Sequence, residues 1–476
     1  MLNSIVHALD FIEDSLWQYM GFPAIIFIGI WFSIQSKFAQ IRKFPDVIRI
    51  FLDFLMGRDT NSQEEKKGIH PLKAFFTGLG GCVGIGNIIG ITLAVQLGGP
   101  GAIFWVWVAA VFGSLVKYSE VYLGIQYRVC DNKEGFHGGP MYFLSKAIGP
   151  WAGTLFCWLM CVYGVEIFQF NVIVTSVATN CNLERWPVVL VILLLVLLAE
   201  RGGMRRVANI CTAIIPLFIL VYLSMCFYVI GMNVHLLADV FIMIVKGAFT
   251  PQSAFGGFLG STVLLTISHG IRRGCYSSDI GVGYAAIIHS ASRVTKASKQ
   301  AALAIFEVFL DSCVICTISV LIILITGTWN EPLEPMQLVE EGLSIYFPYM
   351  HFFMPFFLFL LGYSTIITFF EAGIQTATYL SPHHGKLLYY GFSTLFLFSF
   401  AFVDTVHAIM PLSIVQVFLL ALNLIGFYRL RREIDFNFLP ASKEPKEEPV
   451  QEVNEMPSPA YESIISRDQL SNNSCE

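Results

Sequence analysis

The chain has 476 residues, of which 55% are hydrophobic and 13% charged, with a formal net charge of −5. Water-soluble domains carry about 25% charged residues, so a soluble enzyme is excluded. An all-α polytopic membrane protein, embedded in a lipid bilayer and with no nucleic-acid partner, is expected instead.

In chain order, the first segment, MLNSIVHALDFIEDSLW, lacks the basic start and cleavage site of a signal peptide. It reads as an amphipathic helix lying at the membrane interface. Hydropathy then gives eleven spans, near 20–36, 74–97, 101–125, 151–178, 186–200, 206–231, 255–272, 301–327, 350–380, 386–403 and 408–429, numbered here in order. A membrane helix needs about 20 apolar residues. Basic residues gather in alternate loops, after span 1 (Lys37, Arg42, Lys43), span 3 (Arg128, Lys133), span 5 (Arg201, Arg205), span 7 (Arg272, Arg273, Arg293, Lys296) and span 11 (Arg429, Arg431). The opposite loops are short or acidic, as at Glu331, Glu334, Glu340 and Glu341. The positive-inside rule therefore predicts a multi-pass protein of the cell (inner) membrane, N-terminus outside and C-terminus cytoplasmic. From Glu433 onward the chain holds ten acids and three bases among many Pro and Ser. That segment is too polar to bury a core and reads as a disordered cytoplasmic tail. The eleven cysteines are scattered, many in apolar segments, and read as small buried hydrophobes rather than a disulfide framework or zinc site.

Span 2 contains GLGGCVGIGNIIG, residues 78–90, with six glycines in thirteen positions. A dinucleotide fingerprint would need its third glycine at Ile89 and an acid near Ala110 and Val111; neither is present. Gly80-x-x-x-Gly84 and Gly86-x-x-x-Gly90 are faces that let helices approach closely, but glycine at this density costs about 1 kcal/mol per residue of helix propensity. A discontinuous helix accounts for the excess. Secondary transporters place unwound backbone at mid-membrane, in Gly-interrupted spans at matching positions of two inverted halves. Span 7 carries Gly256, Gly257, Gly260 and Gly270, so spans 2–6 and 7–11 read as two five-helix blocks of opposite topology. The expected division is 1–72 (interfacial segment, span 1 and basic loop), 73–232 and 233–430 (the two repeats), and 431–476 (tail).

The run GIGNIIGITLAVQLGGPGAIFWVWVAAVFGSLVKYSEVYLGIQYR resembles the alanine or glycine:cation symporter family, also called sodium:alanine symporters. The likeness continues through Gly138-Gly139-Pro140-Met141-Tyr142, Gln169-x-Asn171, Gly202-Gly203-Met204-Arg205-Arg206, Arg273-Gly274, and Phe309-Leu310-Asp311-Ser312. It spans residues 20 to 430 in order. The resemblance implies a leucine-transporter-type core of ten helices in two inverted repeats, preceded by one extra helix. It also implies a small neutral amino acid carried with Na⁺ or H⁺, with no organic cofactor.

Several positions depart from the family pattern. Ile85 stands where relatives keep a threonine, and Phe369 where a tryptophan is usual. Ser277-Ser278-Asp279-Ile280-Gly281 replaces S-N-E-A-G, and Gly113-Ser114-Leu115-Val116-Lys117 replaces G-M-A-T-K. The chain reads as a divergent member.

A zwitterion in a low-dielectric site needs partners for both charges, and backbone amides at a broken helix can receive its carboxylate. Ile85, Gly86, Asn87, Gln169 and Phe369 are the expected substrate residues. Na⁺ prefers oxygen ligands, and the resemblance implies a site between the broken helix and the hydroxyls of span 9. Gly84, Asn87, Ser364, Thr365 and Thr368 are the expected ion residues. Intramembrane charges are functional by default, so Glu166, Glu371, and Glu307 with Asp311 one turn apart are singled out. The last two could share a proton or an ion. Lys117, Glu120 and Asp311 are the expected gating or coupling residues, the first two as an i, i+3 ion pair. The function expected is Na⁺-coupled uptake of alanine or glycine by alternating access; the alternative is a different small solute or H⁺ coupling on the same fold. No H-E-x-x-H or G-x-S-x-G supports a membrane-embedded enzyme, and a channel would more naturally show polar rings.

Overall fold

A computed structural model describes residues 11–58, 68–131, 135–250, 263–402 and 405–439. The glycines at 256, 257 and 260, the first ten residues and most of the acidic tail lie outside them.

Almost every element is helical. α1 (Phe11–Gln35) is followed by α2 (Phe44–Leu55), whose apolar face is buried through Val47, Ile50 and Phe54. Then come α3 (Pro71–Cys82), α4 (Ile89–Gly98) and α5 (Ala102–Gln126). A short antiparallel hairpin, β1 (Val129–Asp131) and β2 (Gly135–His137), precedes α6 (Pro140–Ala147). α7 (Pro150–Tyr163) and α8 (Ile167–Asn180), α9 (Arg185–Glu200) and α10 (Gly203–Met232) complete the first half, and α11 (Leu237–Phe249) follows. The second half holds α12 (Val263–Ser277), α13 (Tyr284–Ser290), α14 (Ala297–Thr326), α15 (Pro335–Ser344), α16 (Met350–Leu380), α17 (Gly385–Phe400) and α18 (Thr405–Arg429).

Seven helices among the described residues are long and apolar enough to cross a membrane, and α3 with α4 makes an eighth when counted as one bent span. α9 and α17 stand near two more of the expected positions but run only 16 residues each, and α12 stands near a third, its described part beginning at Val263. At 1.5 Å per residue α9 and α17 are each about 24 Å long, short of the roughly 30 Å hydrocarbon core. Leu194, Leu217, Leu220 and Phe352 stand exposed on the outer surface, the arrangement expected of lipid-facing helices. Inside, α5 packs along α12 and α14, and α16 along α7 and α8.

Proline starts several of these helices, at Pro71, Pro140, Pro150 and Pro335, where its missing N–H costs nothing. Two helices break inside the bundle. α3 and α4 are bent by 59° about Val83–Ile88, with a single 3₁₀ turn between them at Ile85–Asn87. The second break, between α12 and α13, spans residues 278–283. Asp279, Gly281 and Gly283 there have φ of +49°, +74° and +98°, and L side chains rarely tolerate that region. Its position corrects two expectations. The helix of span 7 continues to Ser277, so Arg272 and Arg273 belong to a helix packed in the bundle rather than to a loop. Hydropathy ended the span at the first arginine because it cannot register a charge carried into the interior. A smaller interruption separates α7 from α8 at Glu166, whose φ is +50°. In α14, Phe309–Cys316 forms a π-helical segment, a widened turn frequently found at functional sites.

Candidate functional site

The first break carries its own replacements for the helical hydrogen bonds it loses. Asn87 Oδ1 accepts from Gly84 N at 3.1 Å, and Gln169 Oε1 on α8 accepts from Ile85 N at 3.1 Å. Gly84 N also reaches Cys82 O at 3.0 Å; a buried amide left unpaired would cost about 1–3 kcal/mol, so the two side chains supplement the backbone bonds that hold the unwound turn.

The second break is held by charged and hydroxyl groups. Lys117 Nζ on α5 donates to Ser278 O at 2.9 Å and to Cys82 Sγ at 2.8 Å, and lies 3.3 Å from Glu307 Oε2. Glu307 Oε1 is 2.8 Å from His289 Nε2, and His289 Nδ1 is 2.8 Å from Gln300 Nε2. Asp311, in the π segment, accepts from Ser277 Oγ at 3.2 Å, Ser278 Oγ at 2.5 Å and Asn87 Nδ2 at 2.5 Å. One carboxylate thus ties the two breaks together.

Two expected pairings are corrected. Lys117 and Glu120 do not form the ion pair expected of them. Both are fully buried, Lys117 turns to Glu307, and Glu120 Oε1 accepts from Ala286 N at 3.2 Å in the first turn of α13. Glu307 and Asp311 do not share a partner, because the π segment begins between them and gives each its own neighbours. Cys82 and Cys316 do more than fill space, since each sulfur lies against a polar nitrogen, Lys117 Nζ and Asn87 Nδ2.

Between the breaks lies a small cavity of about 10 Å³, room for about one water. Gly81, Cys82, Gly86, Tyr163, Glu166, Gln169, Arg273, Tyr276, Ser277, Asp279, Thr365 and Phe369 line it. Of the expected substrate residues, Gly86, Gln169 and Phe369 are in this lining. Phe369 stacks on Tyr284 with centroids 4.0 Å apart and meets Tyr163 edge-on at 5.4 Å. Ile85 and Asn87 are not in it. The Ile85 side chain lies toward Gly362 and Ile173, leaving only its N–H facing Gln169, while the Asn87 amide turns to Asp311.

The expected ion residues divide in the same way. Ser364 Oγ and Thr365 Oγ1 both reach Gly80 O, at 3.3 and 3.1 Å, and a methyl group on Gly84 would stand 2.8 Å from Thr365 Oγ1. Two hydroxyls and a carbonyl gathered at a helix break are the hard oxygen donors a small monovalent cation prefers. Thr368 lies apart, its hydroxyl donating to Thr365 O at 2.9 Å.

Sequence reasoning missed Arg273, Tyr276, Asp279 and Tyr163 as lining residues. Tyr163 Oη donates to Asp279 Oδ1 at 3.2 Å. The signal available was the positive-φ pattern S-D-I-G-V-G after an apolar helix, with two glycines one residue apart.

A family model described as "Sodium:alanine symporter family" matches residues 2–447. An uncharacterized transporter of Haemophilus influenzae is 32% identical over 70% of this chain and 72% of its own length. A probable sodium/glutamine symporter of Bacillus subtilis, GlnT, is 29% identical over 91% and 90%, and a sodium/alanine symporter of Methanococcus maripaludis, AgcS, is 28% identical over 81% and 85%. Among solved structures, a manganese transporter of Eremococcus coleocola aligns at a TM-score of 0.48 with 13% identity, covering 74% of this chain and 75% of that one. The chain belongs to the sodium:alanine symporter family.

Proposed function

We propose that this member of the sodium:alanine symporter family carries alanine or glycine into the cell together with Na⁺, by alternating access. One observation carries the reading most. Two broken helices meet around a small polar cavity, and the hydroxyls of Ser364 and Thr365 converge on Gly80 O beside it. Substrate and ion would then share the same unwound backbone, so that binding of one favours the conformation that binds the other. In this reading residues 73–232 and 233–430 are the inverted repeats of a ten-helix core, α1 is the additional helix, and the N-terminus faces outward. Gly86, Gln169 and Phe369 contact the substrate; Thr365 and Ser364 contact Na⁺. Ile85 and Asn87 act one step back, by holding the break open. Lys117, Glu120 and Asp311 fix the second break and couple its movement to the first.

A second coupling ion is favoured by a specific feature. Lys117, Glu307 and His289 form a fully buried titratable chain against the second break, the kind of arrangement through which a proton can be taken up and released.

Uptake of labelled L-alanine and glycine into proteoliposomes tests both readings. Accumulation driven by an inward Na⁺ gradient supports the first, accumulation driven only by a pH gradient supports the second, and uptake indifferent to both overturns symport. Gly86→Leu should abolish uptake while the protein still inserts, because even a methyl group there would stand 1.9 Å from Arg273 Nη2.

A further inference from the structure

Arg272 and Arg273 are neighbours with opposite circumstances. Arg272 is partly exposed and doubly paired, to Glu13 and to Asp14 at 2.8 Å each. Arg273 is buried, lines the cavity, and has no hydrogen-bond acceptor for Nε or Nη2 among the described residues. Its guanidinium lies against the first break: a methyl group on Gly90 would stand 2.2 Å from Cζ and Nη1. Gly86 and Gly90 are therefore the space the guanidinium occupies. That position is the first turn of α4, where the helix dipole is positive. Two positive groups face one another there, and a buried guanidinium without hydrogen-bond acceptors at Nε and Nη2 is expensive. What the guanidinium lacks is an acceptor for those two nitrogens, which an anion in the cavity would supply.

The same cavity holds the converse. Glu166 lies at the N-terminus of α8, where the dipole favours its negative charge, yet its buried Oε2 has no partner among the described residues. Tyr276 also lines the cavity, with its ring centroid 5.0 Å from Arg273 Cζ and its hydroxyl unpaired among the described residues. Arg273 and Glu166 are not an ion pair with each other, although they share one small site.

Resting on the amino-acid transport reading above, we propose that Arg273 and Glu166 form a dipolar clamp, Arg273 receiving the substrate carboxylate and Glu166 its ammonium. The clamp selects zwitterions, so an analogue lacking either charge leaves one buried ion unmatched. It also assigns the carboxylate to a side chain of α12, in addition to the backbone amides of the first break. Closure on the substrate then draws the two breaks together through one ligand.

The test is competition against Na⁺-driven uptake of labelled L-alanine in proteoliposomes, using L-alaninol, which lacks the carboxylate, and propionate, which lacks the ammonium. In the unaltered protein each competes roughly 10–100-fold less well than L-alanine, the scale of one lost charge-assisted hydrogen bond. Arg273→Gln should narrow the alaninol ratio about tenfold and leave the propionate ratio unchanged; Glu166→Gln should do the reverse. A merely structural role would move neither ratio selectively. If Arg273→Gln does not reach the membrane, Arg273→Lys serves. It should raise KM for L-alanine about tenfold with kcat little changed and keep the alaninol ratio, and an unchanged KM overturns the clamp. Uptake with both ratios unmoved in the variants overturns the clamp alone. Absence of uptake by the unaltered protein overturns the transport reading and the clamp with it.

Discussion

The two breaks are stabilised by different chemistry. The first is stitched by neutral amides, Asn87 and Gln169, each satisfying one freed backbone N–H. The second is braced by ions, with Lys117 on Ser278 O and Asp311 on two serine hydroxyls. An amide stitch is indifferent to protonation and to local charge. An ionic brace changes strength whenever a proton or a cation arrives nearby. The difference is one of sensitivity: on the proposed reading a cation at Gly80 O would act on the first break, and a proton arriving at the ionic brace would act on the second. Asp311, which also accepts from Asn87, joins the two breaks.

Four measurements would break or sharpen this contrast. Lys117→Met should have the largest effect, since removing one partner of a buried ion pair costs about 3–5 kcal/mol; the melting temperature in detergent should fall steeply and Na⁺-driven uptake should vanish. A mild loss would show that Glu307 is satisfied by His289 and that the brace is weaker than drawn. Asn87→Ala should cost about 1–3 kcal/mol by removing the bonds of its side chain to Gly84 N and Asp311, with no change in the pH profile of uptake. A stability loss equal to that of Lys117→Met would erase the distinction between stitch and brace. Thr365→Ala should cost only about 1 kcal/mol but raise the Na⁺ concentration for half-maximal uptake, the alanine KM at saturating Na⁺ staying nearly constant.

The smallest effect lies outside the membrane. His70 Nδ1 accepts from Leu72 N at 3.2 Å and caps α3, and burial, then the charges of Arg293 and Lys73, hold its pKa below 6.5. A lowered folded pKa means the unfolded chain binds the proton more tightly. The cap's contribution, about 1 kcal/mol, is therefore complete above about pH 6.5 and is lost as pH falls through the folded value. Thermal melts from pH 8 to pH 5 should show this slope in the unaltered protein and lose it in His70→Asn, whose cap does not titrate.

The first break was legible in the sequence because six glycines in thirteen residues contradict both helix propensity and plain packing. The second was not. Hydropathy stops at Arg272 and Arg273, and nothing local distinguishes an arginine that reaches Glu13 from one that lies over Gly86. The glycines expected to mark it, at 256, 257 and 260, lie outside the described residues, and the break itself lies at 278–283. Individual residues show the same limit. Ile85 drew attention for the hydroxyl it lacks, but its side chain points to Gly362 and only its N–H is used. Lys117 and Glu120 share a helix face by spacing, but the third dimension gives Lys117 a stronger partner on α14. Spacing along one helix cannot weigh a partner 190 residues away in the chain.

The wide turn in α14 sets the phase of everything beyond it. A π turn accommodates one residue more than an α turn, and each residue of an α-helix rotates the side chains by about 100° and advances them by 1.5 Å. Deleting a single residue within Phe309–Cys316 would let the helix close up, and in doing so would rephase one end of α14 against the other. Asp311 could no longer face the serines of the second break while Glu307 kept Lys117. The segment behaves as an inserted letter whose presence keeps two carboxylates in separate frames, and length changes there should be far less tolerated than most substitutions.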